Sequence, residues 1–72
     1  MDKAEFLKLG YKIKYERVKK GISQLDLALK TGLTTRSISR IECGTNDPKY
    51  STLVRISEAL GVELIDLLNF KL

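Results

Sequence analysis

Histidine and tryptophan are absent from this 72-residue chain, and cysteine, proline and methionine occur once each. Without an imidazole there is no ready general base. No nucleophile is paired with one, no glycine loop is spaced to cradle phosphate, and no ligand set is spaced for a metal. The lone Cys43 can form neither an internal disulfide nor a cysteine-based zinc cage. No run of about 18 apolar residues exists to cross a bilayer. The charged start Met1-Asp2-Lys3-Ala4-Glu5 leads into no signal-peptide core. These absences predict a cytoplasmic protein that is not an enzyme, with no cofactor, no metal, no small-molecule ligand and no membrane partner.

What is present points to one globular domain over residues 1–72. The hydrophobic share, 43%, is ordinary for a folded protein and argues against disorder. So short a chain buries only about 60% of the surface it exposes unfolded, so its stability should be modest. The net charge is +4, unevenly spread. Residues 1–44 hold ten Lys/Arg and five Asp/Glu, whereas residues 45–72 hold three and four. The basic part suits a polyanion. Charge alone leaves open the blander reading, a small protein kept soluble.

Glycines divide the chain into helical stretches. Phe6, Leu9 and Ile13 mark a helix over about 4–19, through which Gly10 runs at a cost of roughly 1 kcal/mol. Ser23-Gln24-Leu25-Asp26 is a capping-box pattern opening a helix over about 23–30. Thr34 suits the N-cap of a third, running to about 42. Thr45-Asn46-Asp47-Pro48-Lys49 reads as a loop. Leu53, Ile56, Ala59 and Leu60 mark a fourth helix over 51–60, and Leu64, Leu67 and Leu68 a fifth over 63–69. No strand alternation appears, so the predicted class is all-α with five short helices.

The second and third helices are joined by Thr31-Gly32-Leu33, the layout of a helix-turn-helix. On the third, at about 100° per residue from Thr34, Ile38 and Ile41 share an inward face. Thr35, Arg36, Ser39 and Arg40 share the outward one, which holds no acid. A helix is about 10–12 Å across and the major groove of B-DNA about 12 Å wide. Guanidinium forks match guanine O6 and N7, while hydroxyls reach base edges or phosphates. The competing reading is that Arg36 and Arg40 only solvate a surface. A second feature weighs against a plain surface helix. Arg17 falls in the apolar stripe of the first helix, and Glu42 falls beside Ile38 on the inward side of the third. A buried charge is tolerable only when paired, so a partly buried Arg17–Glu42 salt bridge is predicted; the alternative is an Arg17 that snorkels to solvent.

Three runs carry a resemblance: Ile22-Ser23-Gln24-Leu25-Asp26-Leu27-Ala28, Thr31-Gly32-Leu33-Thr34 and Ile38-Ser39-Arg40-Ile41-Glu42-Cys43-Gly44. With Pro48, Leu53, Ile56, Ala59-Leu60-Gly61-Val62 and Leu67-Leu68, they resemble the helix-turn-helix of the Cro/phage-repressor (Xre) family over about residues 9–68. The resemblance implies a compact five-helix, lambda-repressor-like domain that binds a palindromic operator in double-stranded DNA as a homodimer. It also suggests a phage-type repressor or a restriction–modification controller. By position it implies base contacts for Thr35, Arg36, Ser39 and Arg40. Gln24 would contact a phosphate and brace the start of the third helix, and Ser23, Thr34, Thr45 and Asn46 match phosphate-contacting positions. Cys43 stands where a polar residue is usual.

Other residues carry plainer expectations. Lys8, Lys12 and Lys19 form a solvated face, and Leu25 and Leu29 are scattered surface apolars. Tyr11, Tyr15 and Tyr50 are expected as partial core and rim. Ile65, Leu68, Phe70 and Leu72 exceed what one face of a short helix can bury, and suggest a two-fold dimer interface. Two rivals remain: an antitoxin-type protein-interaction module with secondary DNA binding, and a non-specific or RNA-binding basic domain.

Overall fold

Side-chain oxygens set the first helix starts. In the computed structural model, which describes residues 1–69, Asp2 accepts from the backbone N–H of Glu5 at 2.9 Å while Glu5 accepts from that of Asp2 at the same distance. This reciprocal box opens α1 (Lys3–Lys19). Ser23 and Asp26 repeat it at 3.0 and 3.1 Å to open α2 (Gln24–Thr31). Thr34 Oγ1 accepts from Ser37 N at 3.0 Å to start α3 (Thr35–Glu42). Two more helices, α4 (Tyr50–Leu60) and α5 (Leu64–Leu68), begin without a side-chain cap. The regular structure of the described residues is all α-helix, with no strand.

Each helix sends its apolar face to one core. Leu9 and Ile13 enter from α1, Leu27 and Ala28 from α2, Ile38 and Ile41 from α3, Leu53, Ile56 and Leu60 from α4, and Leu67 from α5. Full burial of one such Leu or Ile is worth about 1.5–3 kcal/mol over exposure. α3 packs on both α1 and α2, and α4 packs on α2 and α5. The recognition-helix candidate is therefore held from two sides.

Two glycines set this geometry. Gly32 ends α2 with φ of 73°, and the N–H of the following Leu33 returns to the carbonyl of Ala28 at 3.1 Å. The chain turns there and enters α3 within three residues. Gly10 does something the sequence did not suggest. A Cβ there would lie 2.6 Å from the carbonyl oxygen of Glu42 and closer still to that of Ile41. The crossing of α1 over the end of α3 thus has room only for hydrogen. Its helix-propensity cost is the condition for close contact.

The tyrosines depart from the expectation. Tyr11, Tyr15 and Tyr50 are 71%, 50% and 72% exposed, so none is core. The inward side of α1 is filled by Leu9, Gly10, Ile13 and Arg17. Helical spacing then turns Tyr11 and Tyr15 outward. Leu25 and Leu29 are exposed surface apolars. Ile65 is exposed and Leu68 packs against the core. Phe70 and Leu72, the other proposed interface residues, lie outside the described residues.

Candidate nucleic-acid interface

α3 divides sharply by side. Ile38, Ile41 and Glu42 are buried, while Thr35, Arg36 and Arg40 are exposed and Ser39 is half-exposed. The structure therefore brings the four base-contact candidates onto one surface. Among the described residues no carboxylate pairs with Arg36 or Arg40. Both guanidinium groups remain open to an external acceptor.

Behind that surface lies the charge pair. Arg17 Nε donates to Glu42 Oε2 at 2.6 Å and its Nη2 to Glu42 Oε1 at 3.1 Å, a fork-on-fork arrangement. Arg17 Nη1 donates to the carbonyl of Ile22 at 2.8 Å. Gln24 Nε2 adds a fourth bond, to Glu42 Oε1 at 3.1 Å. Each charged residue is 8% exposed, yet no buried polar side-chain atom among the described residues lacks a partner. The hydrogen bond to Glu42 raises the Arg17 pKa, outweighing the opposing effect of burial. α1, the loop before α2, α2 and the last residue of α3 are thus tied at one point.

The flanking candidates are placed as follows. Gln24 braces the end of α3 through Glu42, not its start, because Glu42 Oε1 has a second lone pair facing α2. Ser23 and Thr34 are exposed N-caps, at the mouths of α2 and α3. The hydroxyl of Thr34 also donates to Ser37 Oγ at 3.1 Å. At this mouth the free donors are the first N–H groups of α3, which have no carbonyl within the helix to bond. Thr45 directs both its hydroxyl, at 3.2 Å, and its N–H, at 3.0 Å, to the carbonyl of Arg40. It fixes the last turn of α3. Asn46, half-buried, follows it in the same loop. Sequence reasoning had no signal for the Ile22 carbonyl or for the Thr45 tie, since both are backbone partners chosen by the fold. Glu16, also 8% exposed, was missed as well; Lys12 answers it at 3.4 Å.

The helix-turn-helix family pattern matches residues 13–67, from the middle of α1 to the last core leucine. The chain belongs to that family. It carries the DNA-binding fold of Cro/Xre-type transcriptional regulators, with α2 and α3 as the two named helices. Control protein C.BamHI of Bacillus amyloliquefaciens is 40% identical over 65 residues, covering 89% of this chain and 80% of that protein. The uncharacterized HTH-type transcriptional regulator MJ0272 of Methanocaldococcus jannaschii is 33% identical over 60 residues, covering 83% and 91%. Among solved structures, the restriction-modification controller protein C.AhdI from Aeromonas hydrophila superposes with a TM-score of 0.87 at 28% identity, covering 89% of this chain and 97% of that one. No helix among the described residues is long and apolar enough to cross a membrane.

Proposed function

We propose that this helix-turn-helix chain is a sequence-specific transcriptional regulator, which binds a palindromic operator as a homodimer and lays α3 in the major groove. One observation carries the reading: an acid-free outward face on α3, with two unpaired arginines, backed by a rigid buried pair. Arg36 and Arg40 read base edges, with Thr35 and Ser39 beside them. The open N–H groups at the mouth of α3, together with Ser23, Gln24, Thr34, Thr45 and Asn46 around it, form the rim that meets phosphates. The whole chain acts as one DNA-binding domain in the cytoplasm, without catalysis. The likeness to C.BamHI and C.AhdI favours a restriction–modification controller, which acts by occupying operator DNA near the genes it regulates.

The dimer is built on α5, where Ile65 is 72% exposed beside the half-buried Leu68. Selection of bound sequences from random duplex tests both parts together. The expected result is an enriched site with two inverted half-sites about one helical turn apart. No enrichment, or equal competition by random duplex at fixed salt, overturns sequence-specific binding in favour of a general polyanion binder. An enriched site without inverted symmetry overturns the homodimer. A co-purifying toxin that blocks no DNA contact would favour the antitoxin reading.

A further inference from the structure

The outward side of α1 takes no part in any of this, yet its pattern is not that of a plain solvated surface. Leu7, Tyr11, Tyr15 and Val18 follow one another at helical spacing and are 50%, 71%, 50% and 58% exposed. At 1.5 Å per residue they make an apolar ridge about 16 Å long. Lysines border it on both sides: Lys14 on one, Lys8, Lys12 and Lys19 on the other. Lys12 is answered by Glu16 at 3.4 Å. The ammonium groups of Lys12 and Lys19 lie over the Tyr15 ring, 5.6 and 5.7 Å from its centre. Between Tyr11, Lys14, Tyr15, Val18 and Lys19 the surface is concave and holds about 460 Å³.

We infer that this ridge is a docking surface for a partner protein, and that the segment it receives is an acidic amphipathic helix. The chemistry selects that occupant in three steps. Ridge residues at i, i+4 and i+8 match the row that packs into the groove of another helix. The concavity beside Tyr15 and Val18 admits a side-chain knob, which a flat lipid surface does not offer. The lysine borders repel a second copy of the same face and attract carboxylates flanking an apolar stripe. α1 turns Leu9 and Ile13 into the core and Gly10 and Arg17 toward α3, so Tyr11, Tyr15 and Val18 face away from the core, while Leu7, at the near end of the ridge, packs against Gly44.

The probe is a synthetic, fluorescently labelled helix about five turns long, long enough to be stable alone, with leucines at i, i+4 and i+7 between rows of glutamate. It is titrated into the full chain by anisotropy, with amide shifts mapped by NMR. Saturable binding is expected, with shifts confined to Leu7–Lys19. Tyr15→Ser with Val18→Ser should weaken it about tenfold, as loss of central anchors does. Lys14→Glu with Lys19→Glu should do the same. All four positions are on the exposed side of α1, so the fold should persist in both variants, and the charge-neutral Tyr15→Ser with Val18→Ser should also keep its duplex DNA affinity, which separates this proposal from the DNA-binding reading. Equal affinity for a lysine-flanked version of the peptide overturns it, as does binding that survives both double variants. So does stronger attachment to phosphatidylglycerol vesicles than to the peptide. Self-association abolished by Tyr15→Ser with Val18→Ser would assign the ridge to a second copy instead.

Discussion

Glu42→Ala isolates the cost of the charge that anchors α3. Removing the carboxylate takes away both charged bonds to Arg17, at 2.6 and 3.1 Å, and leaves a guanidinium that is 8% exposed with the Ile22 carbonyl as its remaining partner. Gln24 Nε2 loses its acceptor too. Breaking a buried pair by deleting one member costs about 3–5 kcal/mol, because the other charge stays desolvated. For a domain of this size each kcal/mol moves Tm by about 4–8 °C, so the loss should exceed roughly 12 °C. Urea unfolding followed by far-ultraviolet circular dichroism, at fixed protein concentration because the proposed dimer would contribute to apparent stability, measures it. Arg17→Leu combined with Glu42→Leu should recover most of the loss, since apolar replacement of a whole buried pair is often neutral or better. A midpoint shift for Glu42→Ala equivalent to less than about 1 kcal/mol would mean that water reaches the guanidinium. The account of a dry anchor would then be wrong.

Other perturbations separate the remaining claims. Arg36→Ala and Arg40→Ala should each cost about 1–3 kcal/mol at one base position and relax selectivity there. Uniform loss across all sequences would make that arginine a phosphate contact. Gly10→Ala gains about 1 kcal/mol of helix propensity but drives a methyl into two backbone carbonyls, so net destabilisation of at least about 1 kcal/mol is expected; a variant that melts higher refutes the tight crossing. Gly32→Ala meets no atom and should suffer only from its positive φ, by about 1–2 kcal/mol. The backbone N–H of Ser23, and then its side chain, hold the Asp26 carboxyl below its usual pKa. A lowered folded-state pKa means stability present above the unfolded carboxylate range and lost as pH falls through the folded value. The urea midpoint of the wild type should therefore exceed that of Asp26→Asn at neutral pH and converge with it in acid. A gap that is constant with pH would count against the cap.

The five helices were legible because their signals are local. Ser23 with Asp26, and Thr34, announce helix starts through side chains next to the backbone they cap, and the spacing of Ile38 and Ile41 sets which side of α3 faces in. The position of Arg17 carried long-range information, because a guanidinium within an apolar stripe demands a carboxylate. Other features had no such signal. Gly10 looks like an isolated weak point until α3 is laid across it. The partner of Gln24 depends on Glu42 Oε1 accepting a second bond beside the one from Arg17. The tyrosines on α1 read as core only while the inward side of that helix is thought to have room.

The separation of duties on α3 has an evolutionary consequence. Among the described residues the side chains of Thr35, Arg36, Ser39 and Arg40 cap nothing, fill no part of the core and hydrogen-bond to no neighbour. Their identities are therefore nearly free of any folding requirement. Under the proposed base contacts, a lineage can exchange these four letters to address a different operator at little cost to the scaffold. A laboratory can do likewise, by transplanting another regulator's outward quartet onto this frame.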